Sequence, residues 1–174
     1  MSLKEKTLAQ KQIFQGNMIS LRLDTVELPN GKESTREVVE HPGAVTILAY
    51  TEEKELLMVR QYRYPIAQET LELPAGKLDH QEDPARCAAR ELEEETGYKP
   101  GTVELLGTFY TSPGFSDEIM YLYRAENLEE GEQCCDEDEF VQVIKLFREE
   151  AVEKISKGEI TDGKTITGIL WPDQ

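Results

Sequence analysis

The spacing of apolar and polar positions changes several times along the chain, and each change marks an element. Residues 11–14 and 18–28 alternate apolar with polar side chains, which predicts strands with one buried face. Pro29-Asn30-Gly31-Lys32 predicts a hairpin turn, because Asn-Gly accepts positive φ at low cost, and residues 34–41 return as the partner strand. Three short strands bury little area by themselves. Residues 1–41 are therefore expected to form a small antiparallel β unit that packs on something else.

His41-Pro42-Gly43 breaks the pattern, and 44–50 follows as an apolar run with strand character. Residues 52–55 turn the chain, 56–62 return, and 70–73 form another strand ahead of Pro74-Ala75-Gly76. The period then becomes helical. Asp83 is a good N-cap, Pro84 suits the first helical position, and Ala85, Ala88, Ala89 and Leu92 favour helix until Gly97 stops it. Beyond it, 102–110 and 118–125 read as strands around a Thr111–Phe115 loop, and the acidic stretch 127–138 reads as a mobile loop. Residues 139–146 alternate like a strand, 148–157 like an amphipathic helix, and 162–171 predict a closing helix with Ile166, Ile169 and Leu170 inward. Strands interleaved with helices predict an α/β sandwich, with the 84–96 helix laid on a mixed sheet over residues 42–174.

Composition narrows the function classes. The chain has 174 residues and a formal charge of −16, with 19 basic against 35 acidic side chains, so a phosphate backbone is repelled and no nucleic-acid partner is expected. No 18-residue apolar run or signal-peptide pattern occurs, which predicts no membrane partner and a cytoplasmic protein. Cys87, Cys134 and Cys135 make no CxxC pair and are expected as reduced thiols. With His41 and His80 as the remaining soft ligands, a zinc cluster has little to draw on. No Walker lysine motif, Rossmann glycine pattern or EF-hand loop is present.

The candidate chemistry lies on the predicted helix. Glu91, Glu94 and Glu95 stand at i, i+3 and i+4 and so share one face, where like charges repel unless a cation gathers them. Arg90 supplies one positive charge against three carboxylates. A hard oxygen-seeking ion such as Mg²⁺ or Mn²⁺ would supply the rest. Gly76, Glu82, Arg90, Glu91, Leu92, Glu94, Glu95 and Gly97 also match every fixed position of G-x5-E-x7-R-E-U-x-E-E-x-G-U up to that glycine, with aromatic Tyr98 where an aliphatic is usual. The polar and glycine positions would coincide by chance on the order of once in 10⁵ sequences. The segment resembles the Nudix box.

That resemblance implies a Nudix α/β/α sandwich and metal-dependent hydrolysis of a nucleoside diphosphate linked to a further group. Glu91 and Glu95 are implied as the main metal ligands, with Glu94 shared or at the edge and the Ala75 carbonyl completing the shell. Glu82 is implied to orient Arg90. Arg60-Gln61-Tyr62-Arg63-Tyr64-Pro65 is a basic, aromatic island in an acidic protein. Arginine suits bidentate phosphate contact and tyrosine suits stacking on a base, although Arg60 reads equally well as a snorkelling strand end. Arg63 and Glu72 match an arginine and an acid that the ADP-ribose pyrophosphatase branch places at its substrate or metal, and Pro113, within Ser-Pro-Gly-Phe with Gly114 and Phe115, stands at the spacing from the box that marks that branch. Related enzymes bring a loop glutamate over the diphosphate as general base, with Glu139 the best positional match and Glu137 next. The resemblance further implies a homodimer with exchanged N-terminal sheets that carries Arg36 to the partner's site. The substrate expected is ADP-ribose; the alternatives are a nucleotide-sugar or dinucleoside polyphosphate pyrophosphatase, or a non-catalytic ADP-ribose sensor.

Overall fold

The computed structural model describes residues 2–135 and 139–172. Residues 1–43 together with 110–119 form one compact unit, and residues 44–109 with 120–174 form a second. In the first unit, β1 (Lys6–Gln15), β2 (Ser20–Glu27) and β3 (Glu33–Glu40) make an antiparallel sheet in the order β1-β2-β3. The β2–β3 register is unbroken from Ser20↔Glu40 to Glu27↔Glu33, and Gly31 at φ +80 closes the hairpin as its Asn-Gly sequence predicts. The 110–119 excursion joins this sheet: Val39 N–H donates to the Phe115 carbonyl at 2.8 Å, and the backbone N–H of His41 donates to Asp117 at 2.9 Å.

The second unit holds β4 (Ala44–Ala49), β5 (Leu56–Arg63), β6 (Gln68–Glu72), β7 (Ala75–Lys77), α1 (Pro84–Thr96), β8 (Tyr98–Tyr110), β9 (Ile119–Glu130), β10 (Gln142–Leu146), α2 (Arg148–Ser156) and α3 (Gly163–Ile169), the ends of β8 and β9 passing into the first. Its strands form two sheets, β7-β4-β9-β8 and β10-β5-β6. β4 runs parallel to β9 and antiparallel to β7, so the larger sheet is mixed. Every residue of β4 is buried, as expected of a parallel strand covered on both faces. Val45, Ile47 and Ala49 pack with Cys87, Ala88 and Leu92 of α1, while Leu48 joins Leu73, Leu146, Ala151, Ile160 and Ile169 in a second cluster.

The acidic 127–138 stretch departs from its expected loop in its first four residues; 131–135 form no helix or strand, and 136–138 lie outside the described residues. Residues 127–130 continue β9 beyond Asn127, which sits at φ +55, because pairing with β8 satisfies the backbone whatever the side-chain polarity. The strand expected over 139–146 begins only at Gln142, opposite Arg60 of β5, and the closing helix is shorter than expected at Gly163–Ile169. β8 starts at Tyr98, directly after the helix cap, rather than at 102. No helix among the described residues is long and apolar enough to cross a membrane.

Candidate active site

α1 is built by local signals and aimed by packing. The Asp83 side chain accepts from the backbone N–H groups of Ala85 and Arg86 at 3.0 and 3.2 Å, and Gly97 ends the helix at φ +76. Its buried stripe is Cys87, Ala88, Glu91, Leu92, Glu95 and Thr96, so two carboxylates ride on the face that docks against the sheet. Glu91 lies directly over Gly76 of β7. A methyl group at 76 would overlap the Glu91 carboxyl, so glycine is what allows strand and carboxylate to approach. One helical turn on, Glu95 accepts from the Ala75 N–H at 2.9 Å and is 4% exposed.

The remaining box acids serve Arg90. Glu82 takes both Nε and Nη2 of Arg90 at 3.0 Å and also accepts from the Asp79 N–H, which fixes the 79–82 loop to the helix. The Arg90 hydrogen bonds hold the Glu82 carboxyl down at about 2. Glu94 accepts from Arg90 Nη1 at 2.8 Å, and the same nitrogen lies 2.9 Å from Glu91. Glu94 is therefore turned to Arg90. Among the described residues no group of three His, Cys, Asp or Glu side chains is gathered as a ready metal shell.

Electrostatics sets Glu91 and Glu95 apart. Burial raises the Glu91 carboxyl to about 7 against the pull of Arg90, with Glu94 and Glu139 adding repulsion. Burial likewise raises Glu95 to about 8, opposed by the Ala75 N–H and reinforced by Glu91 and Glu139. Two desolvated carboxylates one turn apart, repelling each other and facing more negative charge, are the donor chemistry of a hard divalent cation. The residues fit such an ion. Glu139 is near enough for its charge to act on both, whereas Glu137 lies outside the described residues.

Beside Glu95 stands a second cluster that the sequence only half disclosed. Glu72 is 1% exposed and receives Arg63 through two hydrogen bonds at 2.8 and 2.6 Å, the Thr70 hydroxyl at 2.6 Å, and Lys164 Nζ. These partners outweigh burial and hold its carboxyl down at about 2. Lys164, 92 residues away in sequence, is placed by Asp162, which accepts from Lys164 Nζ at 3.0 Å and from the Thr165 N–H at 2.9 Å. Its charge acts on Glu95 as well. Sequence reasoning missed Lys164, Thr70 and Thr165, and the one signal was a lone lysine behind a capping aspartate. Arg60 of β5 is exposed. In the N-terminal unit Arg36 pairs with Glu5 at 2.9 Å, and Pro113, Gly114 and Phe115 lie on the 110–119 excursion.

Residues 40–167 match the family model described as NUDIX domain, and residues 5–39 match that of the nucleoside diphosphate sugar hydrolase N-terminal domain. The chain belongs to the Nudix family. This Nudix chain is 49% identical over 172 residues to the ADP-ribose pyrophosphatase of Bacillus subtilis, covering 98% of this chain and 93% of that protein. It is 49% identical over 170 residues to the methanol dehydrogenase activator of Bacillus methanolicus, covering 97% and 92%. A solved structure described as an ADP compounds hydrolase shares the fold, with a TM-score of 0.85 at 19% identity over 97% of this chain and 92% of that one. The protein is a Nudix hydrolase, and Nudix hydrolases in general depend on divalent metal ions.

Proposed function

We propose that this Nudix hydrolase cleaves the diphosphate of ADP-ribose with water, giving AMP and ribose 5-phosphate. The observation that carries the reading is the pairing of a buried Glu91–Glu95 carboxylate centre with the adjacent Arg63–Glu72–Lys164 cluster. Mg²⁺ or Mn²⁺ held by Glu91 and Glu95, with Glu94 and the Ala75 carbonyl as further donors, would neutralise diphosphate charge and lower the pKa of the attacking water. Around it the chain's own groups divide the work. Arg90, clamped by Glu82, keeps the box loop against the helix and screens Glu91 from Glu94. Glu72 holds the Arg63 guanidinium with its side chain still 41% exposed, so it can offer its outer N–H groups to a phosphate without reorganising. Glu139 serves as general base, taking the proton of the attacking water. Arg60, Pro113, Gly114 and Phe115 remain our candidates for substrate contact.

The similarity of residues 5–39 to an N-terminal domain of nucleoside diphosphate sugar hydrolases supports a runner-up, a nucleotide-sugar pyrophosphatase. Incubation with Mg²⁺ and ADP-ribose, GDP-mannose, diadenosine polyphosphates or NADH, with products separated by chromatography, decides between them. AMP and ribose 5-phosphate as the fastest-formed products are expected; preferential release of GMP and mannose 1-phosphate from GDP-mannose would refute the ADP-ribose assignment.

The same reading makes the protein a cytoplasmic homodimer through its N-terminal sheet. β1 is exposed along its whole length and carries Leu8, Ile13 and Phe14 at 42%, 50% and 55% exposure, an apolar surface that a second copy would cover. Arg36 would then reach the partner's pocket. Sedimentation equilibrium is expected to return twice the 19.8 kDa chain mass at micromolar concentration. A monomer with full activity would remove the exchange from the mechanism.

A further inference from the structure

After β9, residues 131–135 pass the end of α1 under close control. Gly131 N–H donates to the Gly97 carbonyl at 2.8 Å, Cys134 N–H donates to the Glu94 carbonyl at 3.1 Å, and the Cys135 thiol reaches that same carbonyl at 3.4 Å. Gln133 extends the seam furthest. Its Nε2 lies 2.7 Å from the Glu95 carbonyl oxygen, 3.1 Å from the Val141 carbonyl oxygen and 3.3 Å from the Cys135 sulfur. An amide nitrogen has two protons, and oxygen is a better acceptor than sulfur, so the two carbonyls take both.

One of those carbonyls belongs to a box glutamate on α1, and the other lies two residues after Glu139, at the entry to β10. A single side chain therefore spans from the backbone of Glu95 to the backbone beside Glu139. Glu139 itself belongs to no helix or strand. Its charge nevertheless acts on both Glu91 and Glu95.

We infer that Gln133 is a positioning residue that fixes Glu139 relative to the Glu91–Glu95 centre through the Glu95–Gln133–Val141 bridge. The inference rests on the general-base role of Glu139 proposed above. Gln133 is exposed, so replacing it leaves the core untouched and the fold intact. A misplaced base slows the chemical step without weakening ground-state binding, and that separates positioning from mere scaffolding.

The test uses Gln133→Met, which keeps the length and volume of the side chain and removes both donors. With ADP-ribose and Mg²⁺, kcat is expected to fall about tenfold while KM and the half-saturating Mg²⁺ concentration stay within about twofold. Combined with Glu139→Gln, it is expected to cause no further loss, because a displaced base that is already absent costs nothing. Equal losses in both backgrounds would show that Gln133 acts independently of Glu139 and overturn the inference alone. Wild-type kcat in Gln133→Met would overturn it too. Full activity in Glu139→Gln would instead remove the general-base reading, and this inference with it.

Discussion

Glu95→Gln is expected to lower kcat at least about a hundredfold while circular dichroism stays native. The substitution keeps the side-chain volume at a site 4% exposed and leaves an amide oxygen to accept from the Ala75 N–H, so it removes the charge while sparing the packing. Near wild-type turnover would sink the metal-ligand role. A thermal measurement gives an independent check. The folded-state value of about 8 lies above the ordinary 4.5, set first by burial and then by the charges of Glu91 and Glu139. The fold thus favours the protonated carboxyl, whose contribution is full below 4.5 and is lost as pH rises through about 8. Glu91, raised to about 7, acts with the same sign. The metal-free protein should therefore lose Tm between pH 5 and 8, with Mg²⁺ restoring it most at the alkaline end. Glu95→Gln should flatten this profile, and an unchanged slope would place the titration elsewhere.

Gly76→Ala should be nearly as damaging to turnover, by sterics alone. Gly76 is not among the residues at positive φ, so alanine can adopt its backbone; the conflict is between the new methyl group and the Glu91 carboxyl. Either β7 moves away from α1, where Gly76 pairs with Val45 of β4, or Glu91 rotates off the centre it shares with Glu95. Overpacking of this kind costs about 1–3 kcal/mol, and a displaced ligand is expected to lower kcat/KM by about 10- to 100-fold. Steady-state kinetics with Mn²⁺ titration would reveal it as weaker metal binding. Wild-type metal affinity and turnover together would show that Glu91 has room to yield.

The contrast between α1 and the second cluster explains what could be read from the chain. Asp83, Pro84 and Gly97 act within a few residues of the helix they bound, so the element and its acid face were legible in order of sequence. The apolar run of β4 was legible for the same reason. Lys164 and Gln133 carry no such local mark. They matter because tertiary folding brings them 92 residues to Glu72 and 38 residues to Glu95, and side-chain periodicity does not encode that distance. The acidic end of β9 shows the reverse case, where composition argued for a loop and strand pairing overruled it. The resemblance implied Arg63 and Glu72 one at a time as residues at the substrate or metal, but their bond to each other, from β5 to β6, comes only with the fold.

The 110–119 excursion has a bearing on how this chain can be cut and grafted. The N-terminal unit is assembled from two separate lengths of chain: Val39 holds the second by backbone hydrogen bonds to Phe115 and Asp117, and the His41 N–H donates to the Asp117 carboxylate. A truncation at residue 40 would strip Val39 and both its backbone hydrogen bonds from a segment still tethered at both ends, leaving an unpaired edge prone to intermolecular pairing. The unit is thus not a portable module that can be swapped between relatives at one junction. A chimaera that exchanges residues 1–43 needs the 110–119 segment from the same parent.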